Sequence, residues 1–143
     1  MASLSIAVQV ACREMCDSIK RQMQSRAVRV ANEMRNAEME VIRGQGGGRQ
    51  YRIPNTGRVY TASAPGEVPA VRTGAFRNSW QPTSMMRGDV AISKLETTLT
   101  VNGYNLGGLL EDGTSKMAPR PHQQKILDKA EPKALAIYSE PYV

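Results

Sequence analysis

The stretch from Ser5 to Arg43 reads SIAVQVACREMCDSIKRQMQSRAVRVANEMRNAEMEVIR, and its periodicity decides the architecture of the chain. Val8, Cys12, Met15, Ile19, Met23, Ala27, Val30, Met34, Ala37 and Val41 recur in steps of three and four, with no Pro or Gly between them. That spacing predicts one long amphipathic helix. Arg13, Glu14, Lys20, Arg21, Arg35 and Glu38 fall off the apolar stripe. At 1.5 Å per residue the helix spans ~55–60 Å. A compact body of this size is only roughly 30 Å across. Part of the stripe must therefore meet another chain, or the helix must bend. Gly44 and the run Gly46-Gly47-Gly48 end it. No Gly-Lys-Ser/Thr follows, so the run is no phosphate loop, and it reads as a flexible hinge.

Residues 44–71 read as an extended arm. Within it, Tyr51-Arg52-Ile53 and Arg58-Val59-Tyr60 flank Pro54-Asn55-Thr56-Gly57, a hairpin signal. The register places Tyr51 opposite Tyr60 and Arg52 opposite Val59. An isolated two-stranded hairpin is marginal in water, so it is expected to lie on another subunit or partner, or to stay mobile until assembly. Between Arg43 and Arg87 the chain carries seven arginines, no lysine and only Glu67 as a counter-charge, which matches the net charge of +6 for all 143 residues. The guanidinium is a planar fork suited to carboxylates and phosphates. The middle third therefore seeks an acidic partner, protein or DNA.

Residues 72–143 read as an α+β body. Thr73 is the expected N-cap of a short helix opening at Gly74, with Phe76 and Trp80 on one face. Asp89–Ser93 and Thr98–Val101 alternate as strands and are expected to pair through the link Lys94-Leu95-Glu96. Asn102-Gly103 is a turn signal, and Tyr104–Leu110 reads as a strand or a short helix, with a helical turn preferred. Pro121 fits the first turn of a closing helix, with Pro132 marking a break or restart. The fold class is α+β: one domain over 1–143, a long helix over 5–43, an arginine-rich arm or hairpin over 44–71, and both long helices packed on a small antiparallel sheet.

Low aromatic content, 5%, implies a thin aliphatic core. No run of about 20 apolar residues suggests a membrane span. The segment from Met1 to Cys16 lacks a basic export region. The chemistry-bearing residues are few. His122 is the single histidine, has no nucleophile motif beside it, and is expected at the surface or an interface. Cys12 and Cys16 lie on one helix face without a second ligand pair, which leaves core packing or disulfides between copies. The carboxylates Glu38, Glu40, Glu111 and Asp112 form no nuclease pattern. No catalytic, cofactor or metal residues are expected, and the chain is not read as an enzyme.

Two segments carry a resemblance. The first holds Ala64-Pro65-Gly66, Pro69, Thr73-Gly74, Phe76-Arg77 and Ser79; the second holds Tyr104, Glu111, Gly113-Thr114, Met117 and Pro119 or Pro121. Their order and spacing resemble the gp-ten-like tail-component family of long-tailed bacteriophages, the tail-completion or head–tail joining proteins. It covers roughly residues 60 to 137, plus the expected long first helix. Phe76 stands where Leu is usual, Asp112 where an apolar residue is, and His122 where Phe is common. The resemblance implies a virion protein of the neck, made in the host cytoplasm. Such a protein forms a ring of six or twelve copies that completes the tail or joins it to the head connector, with DNA passing through the lumen. Its implied partners are further copies, neighbouring neck, connector or tail-terminator proteins, and non-specific DNA. Arg49, Tyr51, Arg52, Arg58 and Tyr60 would form the arm's interface, and Ile19, Met23, Val30 and Met34 the helix interface. It also implies that Glu111 holds an arginine of the first motif, Arg72 or Arg77. The rival reading is a small basic nucleic-acid-binding protein using the arm, although only Tyr51 and Tyr60 could stack on bases.

Overall fold

The structure, a computed structural model, describes the backbone of residues 2–143 and the side chains of residues 9–143. Helix α1 runs Ala2–Val41, starting earlier and ending two residues sooner than its apolar spacing suggests. Strands β1 (Gln50–Arg52) and β2 (Val59–Thr61) form the arm's hairpin. A four-residue helix α2 (Ala75–Asn78) leads into strands β3 (Trp80–Arg87) and β4 (Val90–Thr97). Short strands β5 (Thr100–Val101) and β6 (Tyr104–Asn105) precede helices α3 (Leu106–Asp112) and α4 (Gln123–Tyr138). The class is α+β, with three separate two-stranded antiparallel sheets.

The core forms where the C-terminal half of α1 meets α4 and the β3–β4 ribbon. Ala37, Ile42, Trp80, Ile126 and Ala130 are its buried centre, with Met34, Val41, Val71, Phe76 and Leu95 packed around them. Ala27, Val30 and Ala31 are buried higher on α1. Small side chains on facing helices allow close axial approach. Trp80 supplies the largest single burial, about 150–250 Å², equivalent to roughly 4–6 kcal/mol as an upper bound. Val30 and Met34, expected to face a neighbouring copy, are thus used by this chain's own core.

The stripe divides along α1. Its C-terminal half is covered, whereas Cys12, Met15 and Ile19 are exposed and Met23 is half-buried. Val8 lies outside the residues with described side chains. The core-packing reading of Cys12 and Cys16 is therefore corrected: both are free and exposed. Off-stripe Glu38 is fully buried, paired with Arg35 one turn back. The chain's last residues tie down the middle of α1. Arg29 makes a bidentate pair with Glu140 at 2.7 and 2.8 Å. Arg26 donates to Pro141 O at 2.8 Å and lies 4.0 Å over the Tyr142 ring. Gln22 exchanges two hydrogen bonds with the Val143 backbone.

The arm hairpin has the expected register, Tyr51 opposite Tyr60 and Arg52 opposite Val59. The second expected pairing is corrected. β3 pairs with β4 from Trp80↔Thr97 to Arg87↔Val90, turning at Gly88-Asp89. Gly88 has φ 61, the left-handed geometry that a two-residue hairpin turn needs at its first position. Lys94, Leu95 and Glu96 are strand residues of β4, and Pro82 sits within β3 opposite Leu95. Asn102-Gly103 does turn the chain, with φ 52 and φ 81, but between β5 and β6. Tyr104 and Asn105 are strand, and Asn105 caps α3 by accepting from Gly108 N at 3.0 Å. In α4, His122 is the cap residue and Pro121 lies outside the helix, while Pro132 is accommodated without a break. Pro132 lies on the exposed side of α4, so the backbone bond it removes is not lost inside the core.

Candidate functional site

The arm is pinned at its base and uncovered at its tip. Gly46 N donates to Thr61 O at 3.0 Å, and Gly48 N to Ala62 O at 2.8 Å. A β-carbon on Gly46 would stand 2.3 Å from the Ser63 α-carbon. The glycine run is therefore a close backbone-to-backbone seam, correcting its reading as a hinge. Glu67 locks the seam by accepting from Gly47 N at 2.8 Å and Ala64 N at 2.9 Å. Those two backbone donors hold its carboxyl below the usual carboxylate range. The only counter-charge of the region is thus engaged at the base.

Beyond the seam, Tyr51 and Tyr60 stack on each other with centroids 5.8 Å apart. Arg72 lies 5.8 Å over the Tyr60 ring. Arg49, Arg52 and Arg58 are exposed on this hairpin. Among the described residues none of these four arginines, nor Arg43 or Arg87, takes part in an ion pair. Arg77 differs, because it turns inward and donates to Met39 O at 2.6 Å.

Thr73 is not the helix cap. Gly74, with φ 85, occupies that position, and Thr73 Oγ1 accepts from Ala75 N at 3.3 Å in a local turn. Pro65, Gly66 and Pro69 run beside the second motif. Gly66 N donates to Pro119 O at 3.1 Å, and Arg120 Nε donates to Ser63 Oγ at 2.9 Å. Gly113, with φ 76, has no room for a side chain, since a β-carbon would meet Met117 O at 2.8 Å. Thr114 and Met117 close the tight turn that follows.

Glu111 holds no arginine. Its Oε2 accepts from His122 N at 2.9 Å and Gln123 N at 3.2 Å, which caps α4, and it lies 3.1 Å from His122 Nδ1. The other expectation for this region also fails, because His122 is fully buried. Its ring stands edge-on to Phe76 at 5.5 Å and Trp80 at 5.8 Å. The aromatic packing on its ring and the Glu111 bonds at its backbone make His122 a packing and capping centre. Among the described residues no three His, Cys, Asp or Glu side chains cluster as metal ligands. No described helix is long and apolar enough to cross a membrane.

Sequence reasoning missed a groove of about 780 Å³ between the arm and the α3 region. Tyr60, Val71, Leu99, Leu110 and Met117 line it, and exposed Arg72 and Lys116 stand along it. None of its lining residues carries a carboxylate. Apolar residues from distant segments build this surface, so no local pattern announces it. No protein-family model, curated protein or solved structure matches this chain.

Proposed function

We propose that this chain is a structural subunit of a phage neck. Identical copies close into a ring that completes the tail or joins it to the head connector, and DNA passes through the lumen. The observation that carries the reading is the uncovered stretch of α1 around Cys12, Met15 and Ile19. Met15 is 65% exposed and Ile19 37% exposed on a 40-residue helix whose C-terminal half carries the core. Apolar stripes on isolated rods are favourable only when something covers them. The two motif segments lend further support through their resemblance to the tail-completion family, and they touch each other in space.

A ring repeats +6 at every subunit, which creates strong self-repulsion. Acidic surface on a neighbouring ring, or DNA, offsets it. Purified subunits are therefore expected to stay largely monomeric at low salt until such a partner is present. Stable rings of the isolated chain at low ionic strength would count against this. The decisive test is an image of purified virions with this chain labelled. Label in a ring at the head–tail junction supports the reading; label elsewhere, or none, overturns it.

The unpaired arginines of the hairpin favour a second reading, a small nucleic-acid-binding protein. Against it, Tyr51 and Tyr60 stack on each other rather than standing open for bases. Tight, steeply salt-dependent binding to free duplex in a filter-binding titration would favour this alternative.

A further inference from the structure

We propose that residues 139–143 are a releasable strap on α1. Closed, they cover the middle of one helix face. Open, they lengthen the uncovered part of that face by about 15 Å and free the guanidiniums of Arg26 and Arg29. The device works within one copy and does not depend on ring closure.

Cys12, Met15, Ile19, Gln22, Arg26 and Arg29 recur in steps of three and four, so they share one face of α1. The first three are exposed. The last three are held by the strap: Gln22 by the Val143 backbone, Arg26 by Pro141 O and the Tyr142 ring, and Arg29 by the Glu140 carboxylate. Arg26, stacked on Tyr142, is only 5% exposed. From Ile19 to Arg29 the helix rises about 15 Å. The strap therefore decides whether the open face of α1 stops at Ile19 or runs on to Arg29.

The strap begins just past a fixed point. Tyr138, the last residue of α4, donates its hydroxyl to Ser93 Oγ at 2.5 Å, and Ser93 Oγ donates to Ala27 O at 2.7 Å. Beyond Tyr138, among the described residues, no backbone-to-backbone bond joins the strap to α1, and side chains of Gln22, Arg26 and Arg29 carry the ties. A segment held this way belongs to the low end of local opening free energies. Arg29 and Glu140 are both well exposed, so salt screens their pair. Arg26 Nη1 is buried with no hydrogen-bond partner among the described residues, a cost that opening relieves. Weak closing contacts and a cost carried by the closed state make a strap that salt, or loss of Glu140, can lift.

The test is arginine modification of the full chain with phenylglyoxal, read residue by residue by peptide mass mapping. The rate at Arg26 is taken relative to Arg13 and Arg21, which are exposed on the same helix. In the closed strap Arg26 should react far more slowly than either. Glu140→Ala should raise its relative rate roughly two- to fivefold, the range that an exposed ion pair supplies. Wild type in about 1 M salt, where the Debye length is roughly 3 Å, should move the same way. Tyr142→Ala, which removes the ring over Arg26, should raise it further. Trp80 fluorescence and the urea midpoint should stay near wild type throughout, because the core lies elsewhere. A relative rate at Arg26 unchanged by both Glu140→Ala and salt overturns the strap. So does an Arg26 that already reacts as fast as Arg13 in the wild type, or one that becomes reactive only as the Trp80 signal reports unfolding of the whole body.

Discussion

Replacing Glu111 with Ala removes one side chain that holds three things at once. Its Oε2 caps α4 through His122 N and Gln123 N and faces the buried His122 ring at 3.1 Å. Loss of a helix cap costs about 1 kcal/mol, within a range of roughly 0.5–2. Stranding a buried N–H costs about 1–3 kcal/mol more. His122 Nδ1 keeps one partner, Arg120 O at 2.9 Å, so the ring itself is not wholly orphaned. The sum is not additive, and about 2–4 kcal/mol is expected. For a chain of this size about 3 kcal/mol corresponds to a fall in Tm of roughly 10 °C. The single tryptophan, Trp80, is buried 5.8 Å from His122, so urea unfolding followed by its fluorescence reads the same site. Glu111→Gln keeps an oxygen acceptor at the cap and should lose about half as much. An Ala variant within about 0.5 kcal/mol of wild type, the range of ordinary surface changes, would refute the capping role.

Other perturbations reach the arm and the rod. Gly46→Ala should force the seam apart, because its β-carbon meets Ser63 backbone at 2.3 Å; faster amide exchange at Gly48 and Ala62 is the measurement. Glu67 has a carboxyl titrating below its ordinary range, so the hold it provides is present above about pH 4.5 and lost as pH falls through the lower folded value. Protection of the Gly47 and Ala64 amides, taken relative to their intrinsic exchange rates at each pH, should therefore fall in acid, and Glu67→Gln should flatten that dependence. Met15→Asp on exposed α1 should change the stability of the isolated chain by less than about 0.5 kcal/mol in urea titrations. Cys12 and Cys16 should both react with a thiol reagent in the native chain, without denaturant.

Features governed by local spacing were legible in the sequence. The stripe of α1 needs only steps of three and four, and the arm hairpin needs only Pro54-Asn55-Thr56-Gly57 between two tyrosine-bearing runs. Asn102-Gly103 turned the chain where its left-handed preference required. β3 was obscured by Pro82 and by its Ser- and Met-rich composition, which weakens the β signal. Without β3, the turn at Gly88-Asp89 had nothing to join, and the strand pairing slid toward Lys94–Glu96. The burial of His122 depends on Phe76 and Trp80, over forty residues away, and the Pro121 beside it suggested an exposed helix start. Of the candidate site, the free arginines and the outer part of the stripe could be read from the sequence; the groove and the Glu111 cap could not, because only tertiary packing assembles them.

The β3–β4 ribbon has a consequence for how copies avoid sticking together. A strand eight residues long that pairs on one side only leaves an unclosed ladder, a template on which another chain could extend into a fibre. Pro82, near the start of β3, has no N–H to offer such an intruder. Replacing it with Val would restore that donor and invite amyloid-like growth along the strand. A proline that costs the ribbon some regularity thus acts as a guard against uncontrolled polymerisation.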